Sequence, residues 1–212
     1  MRTRSFTTGQ PEEIKRKIGE IRDQGFSPGI AFAFATPSQD IKGIAAAFNK
    51  SDIHLMGCST GGNILTNGND NPIFENETVI TLVEVDPDCY TFFSLERQLE
   101  SSAEFGRMIG SRGAEHFGQP SFLIIASGLH INGEELVLGI QDTAGEDVIM
   151  FGGLAGDDAE FQKNFVFTKN SIIDSGAVVL VFDSEKVSIE GLNTSGWVGL
   201  GKDLSITSAA GN

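Results

Sequence analysis

The chain reads as a mixed α/β (α+β) fold in which mixed or paired sheets form layers flanked by helices. Three observations predict it. Apolar runs of strand length alternate with amphipathic stretches of helical period. The order helix, strand, helix, strand, glycine loop, strand, strand occurs twice, and the two glycine loops align at an offset of 95 residues. Each half contains a strand–helix–strand step, which makes parallel neighbours, and closes on two runs that read as antiparallel. A mixed sheet or two facing sheets satisfies all three better than a doubly wound fold. The expectation is one domain over residues 1–212, built by internal duplication, with pseudo-repeats over 11–97 and 101–183. The tail 184–212 is expected to add at least one strand, and it either closes a short protein or leads into a further C-terminal portion.

The elements follow in order. "PEEIKRKIGEIRDQG" opens with Pro11, Glu12 and Glu13, which suit a helix start, and aligns Ile14, Ile18 and Ile21 on one face before Gly25. "GIAFAFAT" is short enough for a buried strand. A helix after Ser38 places Ile41, Ile44, Ala45 and Phe48 on one stripe. "DIHLMGCS" is a strand running into the first glycine loop. Thr78–Val85 and Tyr90–Leu95 read as strands joined by a hairpin turn at Asp86–Asp88. In the second half, Ser101 and Glu104 form a capping box ahead of Phe105, Met108 and Ile109. "SFLIIAS" is a strand, and Asn132 with Glu135 starts a helix carrying Leu136 and Ile140. "DVIMFGG" enters the second loop, and Phe165–Thr168 and Ala177–Phe182 are strands.

Composition narrows the function. With 29 acidic against 15 basic residues, the net charge of −14 opposes binding to a nucleic-acid backbone. No apolar run approaches the ~20 residues that span a bilayer, and "MRTRSFTTGQ" lacks the apolar centre of a secretory signal. Two cysteines, Cys58 and Cys89, make no disulfide framework. A cytoplasmic location fits, and the sequons at Asn76 and Asn193 then carry no meaning.

The two loops hold the candidate chemistry. In "LMGCSTGG", Gly57 and Gly61 can bring successive backbone N–H groups together, and Ser59 and Thr60 add hydroxyls, which makes a pocket for a carboxylate or phosphate. No Lys-Ser/Thr pair follows, so this is not a nucleotide P-loop, and no cofactor is expected. In "MFGGLAGDD", Gly152, Gly153 and Gly156 lead to Asp157 and Asp158, which either cap the chain leaving the glycines or answer a positive ligand group. No histidine or third carboxylate stands at metal-ligand spacing. Cys58 reads as a small buried apolar residue, as a ligand contact, or as a nucleophile with His130 as base; His54 is too far along its strand and His116 ends a helix. Trp197 reads as a core plug, a docking surface or an aromatic pocket wall. Catalysis is not the leading expectation.

"MGCSTGGNI", "FGGLAGDD" with "FVFTKNSIIDSGAVVLVF", and the "GW…G…ITSAAGN" ending together resemble the hallmarks of FIST domains, nearly across the chain. The resemblance implies a non-catalytic sensory module of bacterial signal transduction that binds a small ligand such as an amino acid. Its implied partners are a signalling protein or a C-terminal FIST portion. The chain departs from the pattern at Gly62-Asn63, where the family tends to have a small residue and Glu. The expected ligand site joins Gly57, Cys58, Ser59, Thr60 and Gly61 to Gly152, Gly153, Gly156, Asp157, Asp158 and Trp197. In this reading backbone donors of the first loop receive a carboxylate. The alternatives are a thiol enzyme built on Cys58 and an interaction scaffold built on the Trp197 tail.

Overall fold

The computed structural model describes residues 1–66, 73–74, 76–98, 100–192 and the positions 199, 201, 205, 207 and 208. Helix starts follow local chemistry. Helix α1 (Pro11–Asp23) has Pro11 at its first position and two glutamates in its first turn, and it buries Ile14 and Ile18. Helix α2 (Ile41–Ala47) is capped by Asp40, which accepts the Gly43 N–H, rather than by Ser38. Helix α3 (Ser102–Ala114) carries the full capping box of Ser101 and Glu104. Helix α4 (Gly133–Ala144) is capped by Asn132, whose side chain accepts the Glu135 N–H.

The strands are β1 (Arg2–Thr8), β2 (Ile30–Ala35), β3 (His54–Ser59), β4 (Asn63–Ile64), β5 (Ile73–Phe74), β6 (Thr78–Glu84), β7 (Tyr90–Glu96), β8 (Pro120–Ala126), β9 (Ile149–Leu154), β10 (Val166–Phe167), β11 (Ile172–Ile173) and β12 (Gly176–Asp183). They form one sheet of order β1-β6-β2-β3-β10-β11, a second of order β7-β12-β8-β9, and the small hairpin β4-β5. The run β1-β6-β2-β3 pairs antiparallel, antiparallel, parallel. The run β7-β12-β8-β9 pairs in the same three senses. The correspondence is one of topology, and it begins at β1 and β7.

The structure departs from the sequence reading at three places. Asp86–Asp88 is no hairpin turn: a short 3₁₀ turn over Pro87–Cys89 carries the chain from one sheet to the other, and β7 pairs with β12. Strand β1, which no apolar pattern announced, adds an edge to the first sheet; only Thr8 in it is buried. No strand forms over 184–192, and the rest of the expected tail strand falls largely outside the described residues.

Strand parity builds the layers. In β2, Ala31, Ala33 and Ala35 face α1 and α2, joined by Leu55, Ile80 and Leu82 from the neighbouring strands. Small residues there let the helices lie close to the sheet. The opposite face of that sheet, through Ile30, Met56, Cys58 and Val83, packs on Ile125, Val178 and Leu180 of the second sheet. Alternate residues of the second sheet, Phe122, Ile124, Ala177 and Val179, meet Phe105, Ile109, Leu136 and Ile140 of α3 and α4. The result is helices, sheet, sheet, helices, with three apolar cores. Gly106 and Gly139 bring α3 and α4 to backbone contact: a Cβ on Gly139 would run into the Ala103 carbonyl, and one on Gly106 into that of Leu136.

Candidate functional site where two loops meet

Strands β3 and β9 hold equivalent places in their sheets, each parallel to its neighbour, so their following loops leave at corresponding ends. The loops touch. The Gly156 N–H donates to the Ser59 carbonyl at 2.9 Å. Gly61 lies on the backbone of Asp158; a Cβ built on it would stand 3.2 Å from the Asp158 Cα.

Beside this junction the facing sheets leave a cleft of about 540 Å³, within the range of small-molecule sites. Phe32, Phe34, Leu123, Ile125 and Leu154 supply its apolar walls. Cys58, Thr60 and Thr81 join them, and Gly152 and Gly153 form a bare stretch of β9 along its edge. A second hollow of about 370 Å³ lies at the loops themselves, among Gly61, Gly156, Asp157, Asp158 and Asn164.

Two of the loop amides expected to receive an anion are occupied by the protein. The Ser59 N–H donates to the Phe165 carbonyl at 2.9 Å and the Thr60 N–H to the Ala35 carbonyl at 3.0 Å. The buried Ser59 hydroxyl accepts the Phe165 N–H at 3.0 Å and donates to the Phe165 carbonyl at 3.3 Å. Gly57 does not face the cleft, because its missing Cβ makes room for the Phe167 ring on the helix side of the sheet. Gly57 and Ser59 therefore shape the scaffold, while Cys58, Thr60, Gly152 and Gly153 line the cleft.

Asp157 takes the capping role. It is buried, and its carboxylate accepts the N–H groups of Phe161, Gln162 and Lys163 at 3.1, 2.7 and 2.9 Å. Burial pushes its pKa up, but the backbone donors more than offset this and hold it below the usual carboxylate value. Asp158, at φ +59, lies beside Gly61 in the second hollow. Asn63, at the position where the resemblance led us to expect Glu, is buried; its Oδ1 accepts the Thr60 hydroxyl at 2.7 Å and its Nδ2 donates to the Glu77 carbonyl at 2.7 Å. It braces the first loop. Trp197 lies outside the described residues.

Burial in the inter-sheet core pushes the Cys58 thiol up to about 12, so it stays protonated at neutral pH. His130 is exposed in the turn after β8. His54 shares the inward face of β3 but packs its ring against Phe92, with centroids 4.9 Å apart. Burial lowers its pKa, as does the nearby Lys169. An activated thiolate is absent from this arrangement among the described residues.

Phe32, Phe34, Thr81, Leu123, Ile125 and Leu154 were not anticipated as site residues. A signal for the phenylalanines was present: in "IAFAFA" the alanines share one face and the aromatics the other. Nothing local announced that a second sheet would face them. Among the described residues no helix is long and apolar enough to cross a membrane, and no group of three His, Cys, Asp or Glu side chains gathers to hold a metal.

The FIST N domain model matches residues 29–212, and the chain belongs to that family, whose members are sensory domains of signal transduction. No curated protein matches the chain.

Proposed function

We propose that this FIST domain senses a small organic ligand held in the cleft between its two sheets, and performs no bond-breaking. One observation carries the reading: the loops after β3 and β9 meet through the Gly156–Ser59 hydrogen bond at the mouth of a roughly 540 Å³ cleft. A ligand there touches Thr60 of the first loop on one side and Gly152–Leu154, the end of β9 from which the second loop departs, on the other. Thr60 is tied through Asn63 to the Glu77 carbonyl. The second loop is tied through Asp157 to the segment 161–163. A ligand that binds one arrangement of these loops more tightly than another shifts the population toward it. The shifted surface is then read by a signalling partner or a further C-terminal FIST portion. The cytoplasm is the compartment proposed, where the free thiols Cys58 and Cys89 stay reduced.

Thermal unfolding of the full chain against a panel of amino acids, small carboxylic acids and neutral aromatics tests this. At least one compound is expected to raise the midpoint in a saturable manner. A flat response across the whole panel overturns the proposal. The thiol-enzyme alternative predicts rapid alkylation of Cys58 by iodoacetamide near pH 7; a thiol held protonated in the cleft wall is expected to react slowly at that pH.

A further inference from the structure

We infer that the cleft takes an uncharged, largely apolar molecule with a single polar end, rather than a free amino acid or another zwitterion. The inference rests on the proposal that this cleft is the sensory site, and narrows its ligand.

The walls argue by what they offer. Phe32, Phe34, Leu123, Ile125 and Leu154 present hydrocarbon, and Cys58 presents a neutral thiol. Among the described lining residues no side chain carries a charge. An ionised carboxylate or ammonium entering such a site sheds its water with no counter-charge to replace it, which is strongly unfavourable. The backbone amides of Ser59, Thr60 and Gly156 are spent inside the protein. Asp157, one of two carboxylates that could have met an ammonium, is enclosed by its own loop, and Asp158 faces the other hollow. Two hydroxyls remain. Thr60 gives its proton to Asn63 Oδ1, which leaves its oxygen able to accept. Thr81 shares a hydrogen bond with Ser5 at 2.9 Å. Thr81 stands opposite Phe32, whereas Thr60 follows Ser59, which stands opposite Ala35, so the two hydroxyls lie apart and either one alone can meet a single hydroxyl or carbonyl group. The remaining lining suits an aromatic or branched body.

A matched pair isolates head-group charge. 2-Phenylethanol and phenylalanine carry the same ring, and N-phenyl-1-naphthylamine serves as a neutral fluorescent probe. Titrated into the full chain, 2-phenylethanol is expected to displace the probe, and phenylalanine to do so at least tenfold more weakly. Gly153→Phe fills the cleft from a position where a Cβ meets open space, and is expected to weaken probe binding tenfold or more. Leu123→Trp, on the inter-sheet face of β8, is a second filling variant with the same expectation. Asp158→Asn is expected to leave probe affinity within twofold. Tighter binding of phenylalanine, with a tenfold loss in Asp158→Asn, overturns the apolar assignment while leaving a sensory site in place. Unchanged probe binding in both filling variants also overturns it. No binding or stabilisation by any charged or neutral compound removes the proposed function itself.

Discussion

Strands β3 and β9 sit at the same place in their two sheets, yet their glycines do opposite work. Gly57 on β3 is vacant so that Phe167, arriving on β10, can press its ring onto the strand from the helix side. Gly152 on β9 pairs with Ile124 as Gly57 pairs with Ala33. No ring lies over it: its φ is +154, and a Cβ there would collide with the Ile124 carbonyl. Beside it Gly153 faces open space. Beyond β3 the sheet continues into β10 and β11, whereas β9 is the last strand of its sheet among the described residues. The first copy of the topology is filled by its own chain, and the second leaves room. That asymmetry is what turns one of two similar strand ends into a cleft wall.

Three measurements break or sharpen the contrast. Gly152→Val has the largest expected effect, about 3 kcal/mol or more in urea unfolding, because backbone cannot retreat from the new side chain. Gly153→Ala next to it is expected to change stability by no more than about 0.5 kcal/mol. Equal costs at the two positions would dissolve the distinction drawn for β9. Gly57→Ala comes second, at roughly 2 kcal/mol, since the Phe167 ring sits in a packed core but has some freedom to shift. The third effect depends on pH and is small near neutrality. Cys58 ionises near 9.0 when unfolded and only at about 12 when folded. Its contribution is therefore fully present below pH 9 and is lost as pH rises toward 12, at up to about 1.4 kcal/mol per pH unit. Comparing the parent with Cys58→Ala between pH 8 and pH 10.5 should show the parent losing stability faster. Parallel curves would mean that burial does not hold the Cys58 thiol protonated.

The helices were legible because their signals are local. Pro11, the Ser101–Glu104 box and the Asn132 cap each act within one turn of chain, and the structure uses all three. The loops after β3 and β9 were found for the same reason, since glycines after an apolar run mark a strand end wherever the strand lies. Misreadings arose where the outcome depended on distant partners. Asp86–Asp88 has the composition of a turn, but turn chemistry does not say which sheet the next strand joins. Gly57 looked like a backbone donor in a cleft and proved to be the seat of a ring from a residue 110 positions later, Phe167. Asp157 kept two meanings until its three backbone donors were in view.

What sequence alone determined is therefore the four helices, most of the strands and the acidic character of the chain. These follow from nearest-neighbour hydrogen bonding and from the 2.0 and 3.6 periodicities of apolar side chains. Tertiary structure decided which faces oppose one another. It turned Phe32 and Phe34 toward Leu123 and Ile125, spent the loop amides within the protein, and buried the Cys58 thiol. The physical reason is that a cleft belongs to two surfaces at once, and the apposition of two sheets is set by the burial of whole faces rather than by any short stretch of chain.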